Sequence, residues 1–473
     1  MKFIAIISLL LPYSALAVVK GSTTTFTSPN GVAELCVAIE KIPGGVFTPK
    51  DEKSEAKLCT YDIYRNEIAA CPKTWSTSPG TMLYSAAEAG LSQAEYEASA
   101  ICGQKAGHKK KLAKFKTTMN QSGTSGTFSQ SSMLYYQFSR YFNTIVQVPV
   151  AVYRSFDKDV HYTRISSQAK GIGAMNKAAW EYLRKAAKNP ASYSPTRELL
   201  TPDFQFYGAL LDDGGGERYG TEINGVRTSW GDAQNNDFQK TPAFLALRSE
   251  KPFVEAISDG LVQGARDAKI KADLGMLAPG SVQMGLWMRE LTEITLLDFI
   301  FSQQDRVGNI DYDWYWVYSE GGSVKAQKEK RDEYKNLARK KMKPIAPPAE
   351  LAAFNPVLVQ KSVISDNDAG GRNQYVNYTK RTKMLEKIRH FDAGTYQRLI
   401  ALKNDYAAQG PLYQHLVGTF YLDAKQIAQV VANTKEAAGI LQATCRAGSL
   451  RFDLNFDQIV NGDLTEAKVD CGN

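Results

Sequence analysis

The chain has 473 residues, of which 43% are hydrophobic and 22% charged, and its formal net charge is +8. That composition supports a sizeable core and excludes an intrinsically disordered chain. The basic excess is small and dispersed, so nothing in it calls for nucleic acid. The exception is "GHKKKLAKFK" at 107–116, where a charge run meets an alternating pattern of apolar residues and lysines.

At the N-terminus, Lys2, an apolar stretch from Phe3 to Leu11, and the small residues Ser14, Ala15 and Ala17 read as a secretory signal cleaved after Ala17. No later run is long and apolar enough to span a membrane, so the expectation is a secreted or periplasmic protein without integral membrane association. The six cysteines, Cys36, Cys59, Cys71, Cys102, Cys445 and Cys471, fit disulfides in such a compartment, and none of their spacings gives a C-x-x-C zinc pair. The simplest pairing joins Cys445 to Cys471 and forms two bridges near the N-terminus.

Residues 18–80, rich in Thr, Ser, Pro and Gly, read as an irregular, disulfide-stapled region within an N-terminal unit of 18–103. "YSAAEAGLSQAEYEASAIC" (84–102) has the propensity of a helix. "KKLAKFKTTM" then alternates as a strand with Lys114 and Lys116 on one face. "SSMLYYQFSRYF" (131–142) follows as an amphipathic helix, and "TIVQVPVAVYR" (144–154) as a strand with Pro149 at an edge or bulge. "DFQFYGALLDD" (203–213) alternates, and Asn224-Gly225 in "RYGTEINGVRTSW" is a hairpin signal. From 245 to 305 the pattern is helical, with Ser281 as N-cap of a segment that runs into Asp305. "KAQKEKRDEYKNLARKKMKPI" (325–345) reads as an exposed, strongly charged helical insertion, "NPVLVQKSVIS" (355–365) as a strand ending at "DNDAGG", and 380–444 as helical.

The stretch "LLDFIFSQQDRVGNIDYDWYWVY" (296–318) delivers Asp305 and Arg306 between a buried helix and an aromatic strand. A buried carboxylate needs partners or a metal. The chain order is a strand with lysine, a helix, a strand group, a long helix, an Asp-Arg turn with a nearby Asn, a strand, and a Gly-rich Asp turn. Phosphoryl transfer needs those groups: a lysine for the phosphates, a carboxylate for the attacking hydroxyl, and oxygen ligands for a divalent metal.

"LLDFIFSQQDRVGN" resembles the catalytic segment of the atypical secretory-pathway kinases, the Golgi casein kinase and four-jointed-like family, and more loosely the D-R-H-x-x-N loop of phosphoinositide-3-kinase-like enzymes. "SVISDNDAGG" resembles the family's L-D-N-G-x-G segment, "LAKFKTTMNQ" its A-x-F-K-P strand, and "YYQFSRYFNTIVQVPVAVYR" its following helix and V-P-P-V-x-x-R strand. The resemblance covers about 110–155 and 290–400. It implies an α+β, two-lobed atypical kinase-like fold, with an N-lobe over 104–210 and a C-lobe over 211–473 carrying the insertion near 320–350. It further implies ATP and Mg²⁺ or Mn²⁺ as cofactors and a protein or glycan hydroxyl as acceptor. Lys116 would hold phosphates, Asp305 would act as base, and Asp366 and Asn309 would bind metal, with Asp368, Asp311 and Asp313 as further candidates.

The chain departs from that pattern in several places. Ser132 stands where the family has a glutamate that pairs the lysine, with Gln130 and Gln137 nearby. Asn309 follows Asp305 by four positions, one fewer than the general kinase spacing, and Val307 replaces the histidine usual after D-R. No G-x-G-x-x-G loop is present, and "GQKAGHKK" is a poor substitute for one. Other readings therefore stand beside phosphotransfer: a pseudokinase that binds a partner, AMP transfer on the same scaffold, and an adhesion or carbohydrate-binding module built on "DYDWYWVY". For the individual residues the plain alternatives are an ion-paired turn at Asp305 and Arg306, a solvated cation at Lys116, and an Asx turn at Asp366 and Asp368. The four histidines show no metal spacing and read as structural, and no G-x-S-x-G elbow supports a hydrolase.

Overall fold

A computed structural model of the protein describes residues 18–472 except 66, 171–172, 194–195, 213–218, 227–228 and 332–345. The signal segment and most of the charged insertion lie outside the described residues, and the described start of the insertion, 325–328, is strand and not helix because it pairs with the aromatic strand before it. Alternating apolar segments pair into two antiparallel sheets. The larger contains β1 (Gly21–Thr27), β2 (Ala33–Ile39), β3 (Ile68–Pro72), β4 (Thr81–Ser85), β5 (Lys111–Thr117), β6 (Ala151–Phe156) and β7 (Phe206–Leu211) in the order β1-β2-β6-β7-β5-β4-β3. The smaller contains β8 (Ile310–Glu320), β9 (Ser323–Lys328) and β10 (Val357–Ile364) in the order β10-β8-β9. With the helices these sheets make an α+β fold around a continuous apolar core.

The stretch 18–80 is not irregular. It supplies β1, β2 and β3, and with β4 the chain before 103 builds most of the sheet that carries β5. Disulfides staple these strands to their neighbours: Cys36–Cys59 ties β2 to the end of the helix Pro49–Leu58, and Cys71–Cys102 ties β3 to the turn Ala100–Gly103. The expected helix over 84–102 is reduced to Gln93–Ala98. Gly90 adopts a left-handed φ of 69° that breaks the run, and a Ser92–Glu95 capping box restarts it.

Asn224-Gly225 is not a hairpin. Thr221–Asn224 is a helical turn, and Gly225, at φ 73°, ends it in place of turning a strand. Pro149 lies in the linker before β6, outside the strand.

The helix Gln130–Phe142 is buried on nearly every side, with only Arg140 partly open, so it is enclosed and not amphipathic. It sits between the large sheet, the helix Ser281–Phe301 and the turn after β10. Ser281–Phe301 is itself buried from Gln283 onward, and its N-cap is Gly280 in place of Ser281. Because it has no solvent face, its carboxylates serve as internal brackets. Glu290 accepts the Ser362 N–H at 2.9 Å, and Glu293 accepts those of Ile145 and Val146, each at 2.9 Å. Burial pushes the Glu290 carboxyl up to about 8. Across β5, Gly208 is required by close approach, since a Cβ there would lie 1.9 Å from the Lys116 carbonyl oxygen. No helix among the described residues is long and apolar enough to cross a membrane.

The third disulfide, Cys445–Cys471, closes 26 positions and ties the irregular C-terminal segment to the helix Ala424–Arg446. Replacing both cysteines with serine should lower stability by about 3 kcal/mol in denaturant unfolding. Thiol titration of the unreduced, denatured native chain should find no free thiol.

Candidate functional site

The site begins where the buried helix stops. Ser302 takes a left-handed conformation at φ 53° and ends the helix. Distant groups then satisfy the carbonyls that lose helical partners. Asn377 Nδ2 donates to the Phe299 oxygen at 2.7 Å, Asn433 Nδ2 to that of Ile300 at 3.1 Å, and the Gly371 N–H to that of Phe301 at 2.5 Å.

Four positions on, Arg306 folds back under the helix. Its guanidinium makes a two-pronged pair with Asp298, Nε to Oδ2 at 2.9 Å and Nη2 to Oδ1 at 3.0 Å. It also donates to the Ser365 carbonyl at 3.0 Å and to Asn367 Oδ1 at 2.7 Å. The Tyr135 hydroxyl donates to Asp298 at 2.6 Å from the helix Gln130–Phe142. Burial works against the charge on Arg306, yet Asp298 holds it above the ordinary arginine range. Arg306 is thus a structural anchor, as the plain reading of the Asp-Arg turn has it, while Asp305 points elsewhere.

On β5, residues two apart share a face, and Lys114 and Lys116 both reach the turn after β10. Lys114 Nζ lies 2.9 Å and Lys116 Nζ 3.1 Å from Asp366 Oδ1, and Lys116 Nζ is 3.3 Å from Asp368 Oδ2. Both lysines are buried, whereas the Asp366 side chain is 32% exposed. Burial opposes ionisation of Asp366, but Lys114, Lys116 and Lys73 outweigh it and hold its carboxyl well below the usual carboxylate range. Asp366 itself sits at φ 48°, a conformation that Asp tolerates better than most residues. The Asp turn is therefore a charge cluster as well as a turn, and Lys116 is not a solvated cation.

Asp305 faces the same turn in the opposite electrostatic state. Burial pushes its carboxyl up and the charge of Asp366 adds to the rise, while a hydrogen bond from Trp230 and the charge of Arg306 pull the other way. Gln303 links the two carboxylate segments, its Oε1 accepting the Asp305 N–H at 3.1 Å and its Nε2 donating to the Asp366 carbonyl at 3.5 Å. Asn309 Nδ2 is spent on the Asp305 carbonyl at 2.6 Å, and Asp311 accepts from the Ser365 hydroxyl at 2.9 Å. Asp313 pairs with Lys328 across β8 and β9.

Ser132, Gln130 and Gln137 do not meet the lysines. Gln137 accepts the Ile42 N–H at 2.8 Å, Gln130 donates to the Tyr207 hydroxyl at 2.8 Å, and the Ser132 hydroxyl is buried without a hydrogen-bond partner. The carboxylates on Lys116 come from Asp366 and Asp368 instead.

Several site residues carry no motif in the sequence. Asn224 brackets the loop after Arg306, accepting the Gly308 N–H at 2.9 Å and donating to the Ile310 carbonyl at 2.9 Å. The turn between β3 and β4, "KTWSTSPG" (73–80), reaches the lysines, with Lys116 Nζ 3.0 Å from Ser78 Oγ. Beside Lys114 and Asp366 opens a cavity of about 470 Å³, lined also by Val150, Asp212, Tyr219, Tyr312 and Val363. That volume falls within the ordinary range of small-molecule sites.

Among the described residues, no three His, Cys, Asp or Glu side chains gather as a ready-made metal cage. Two carboxylates suffice for a cation that takes its other ligands from water and substrate phosphates. Asp366 and Asp368 are such a pair, and Asp368 Oδ1 is buried with no hydrogen-bond partner. The donor set therefore fits a small divalent cation. No family model matches the chain, and no curated protein matches it.

Removing Arg306 strands the Asp298 carboxylate in the core, so Arg306→Met should cost about 3–5 kcal/mol, with much of that recovered when Asp298→Leu is added. Denaturant unfolding of both variants checks it. Asp305 has the opposite sign. Its folded carboxyl titrates above the unfolded one, so its neutral form is the favourable one and stability is lost as pH rises through the folded value. Asp305→Asn should therefore melt higher than the native chain at neutral pH, and the gain should vanish below the ordinary carboxylate range. A melting-temperature series against pH reads this.

Proposed function

We propose that the protein is an exported, kinase-like phosphotransferase that uses ATP and Mg²⁺ or Mn²⁺ to modify a hydroxyl of a protein or glycan. One observation carries the reading: Lys114 and Lys116, 252 positions before Asp366 in the case of Lys114, lie within 3.3 Å of the Asp366–Asp368 turn. Asp305 stands beside that turn with its carboxyl raised. The reading takes the large sheet with the helix Gln130–Phe142 as one lobe, and the small sheet with the remaining helices as the other. Export is supported by the signal-like N-terminus and by three disulfides.

The chemistry assigned to each residue follows from its charge. Lys114 and Lys116 bind the phosphates, with the 73–80 turn over them. Asp366 and Asp368 hold the divalent cation, which when bound neutralises charge on the β- and γ-phosphates. Asp305 orients the acceptor hydroxyl and takes its proton as the oxygen bonds to Pγ and the Pγ–O bond to ADP breaks. A carboxyl raised toward neutrality is a better proton acceptor than an ordinary one, provided the working pH lies above its titration. The same donors could instead direct AMP transfer, which leaves AMP on the acceptor and releases pyrophosphate.

The second reading is a pseudokinase. It is favoured by Ser132, which leaves Lys116 without a helix carboxylate, so that Asp366 and Asp368 engage it.

Two variants separate these readings. Asp366→Ala should abolish the metal-dependent part of ATP binding, leaving only what the freed lysines attract. Asp305→Asn should keep metal-dependent binding and lower transfer by a factor on the order of hundreds or more. Calorimetric titration of ATP with metal, beside transfer of label from γ- and α-labelled ATP, measures both. Binding without transfer of either label in the unmodified protein supports the pseudokinase, and no binding at all removes the nucleotide reading.

A further inference from the structure

Trp230 is 58% exposed, an unusual place for the largest apolar ring, yet it is held in position. The Tyr378 ring meets it edge-on, with centroids 5.3 Å apart. Next to it, Asp232 pairs with Arg381 at 2.7 Å through Oδ2, with both side chains partly exposed, while its Oδ1 is buried without a hydrogen-bond partner. Both sides of this patch are fastened to the reaction centre. Gln234 Nε2 donates to the Val307 carbonyl at 3.2 Å, and Asn377 Nδ2 to the Phe299 carbonyl at 2.7 Å. The Trp230 indole lies near enough to the Asp305 carboxyl to oppose the rise that burial imposes on it. An exposed aromatic face with a carboxylate and a guanidinium at its rim thus stands beside the proposed base.

We propose that Trp230, with Asp232 and Arg381, is a platform that seats a sugar ring of the acceptor, which makes the acceptor a glycan. A pyranose offers a face of C–H groups to an indole and a rim of hydroxyls to a carboxylate and a guanidinium, the complement of what this patch presents. A peptide acceptor would ask instead for a free strand edge or an apolar groove. This inference rests on the phosphotransferase reading and deepens it. The sugar oxygen bonds to Pγ as the Pγ–O bond to ADP breaks, and the hydroxyl proton passes to Asp305.

Saturation-transfer NMR with cellobiose, lactose, xylobiose and chitobiose tests the platform without nucleotide, and labelled transfer to the same sugars and to an unglycosylated Ser/Thr peptide tests its use. The expected result is a signal from the C–H protons of at least one disaccharide, weakened about tenfold in affinity by Trp230→Ala and largely kept by Trp230→Phe. Transfer to that sugar should fall in parallel, while the calorimetric titration of ATP with metal stays as in the native chain. No signal from any of the four sugars, a signal indifferent to Trp230→Ala, or transfer to the peptide in preference overturns the proposal. A Trp230-dependent sugar signal in a protein that does not bind ATP keeps the platform and sinks the reaction assigned to it, so the two failures are told apart.

Discussion

The buried ion pair of Asp298 and Arg306 is the constraint on which the rest of the site depends. Two charges taken out of water tolerate no slack, because either one left alone costs several kcal/mol. Their pairing fixes four elements at once: the end of the helix Ser281–Phe301, the helix Gln130–Phe142 through Tyr135, the exit of β10 through Ser365, and the turn through Asn367. Asp305 is the residue before Arg306, and Asp366 lies between Ser365 and Asn367. Neither carboxylate is positioned by its own contacts alone. Both take their places from an inert pair beneath them, so their own contacts need not hold the backbone in position.

Around that frame the charges are deliberately unequal. Asp366 meets Lys114, Lys116 and Lys73, and its carboxyl is driven down. Asp305 meets Asp366 and burial, and its carboxyl is driven up. Two neighbouring carboxylates are thereby pushed toward opposite protonation behaviour. The ionised form of Asp305 is a cost to the fold at neutral pH, and a position kept at a cost to stability is where function is best sought.

Much of this was legible in the sequence where a local pattern determines the element. Alternation marked β5 and put Lys114 and Lys116 on one face. The apolar run before Asp305 read as a buried helix, and the "NPVLVQKSVIS" strand led to Asp366 as expected. The three disulfides also follow the simplest pairing. What escaped was whatever long-range backbone bonding decides. Strand β1 is almost wholly exposed and rich in threonine, so it carries no two-faced pattern, and 18–80 read as irregular. Asn224-Gly225 has the same local chemistry whether it turns a hairpin or ends a helix, and only the partners of Asn224 on Gly308 and Ile310 decide between them. Gln303 and Ser78 act through bonds to residues far along the chain. The lysine pair did offer a signal, since two lysines on one strand face point to one site, and only one of them drew a role.

The missing helix carboxylate at Ser132 changes how such a site would exchange partners. With no glutamate behind it, Lys116 is neutralised by the turn itself, by Asp366 and Asp368. On the phosphotransfer reading, phosphates alone would have to displace those carboxylates and would leave them facing one another and Asp305. A cation alone would be held off by the lysines already there. Arriving together, phosphate takes over the lysines as the cation takes over the carboxylates, and no buried charge is stranded at any stage. On that reading the cluster would favour the metal–nucleotide complex over either component, for the same reason that Asp298 and Arg306 are costly to replace singly: a buried charge left without its partner is unfavourable.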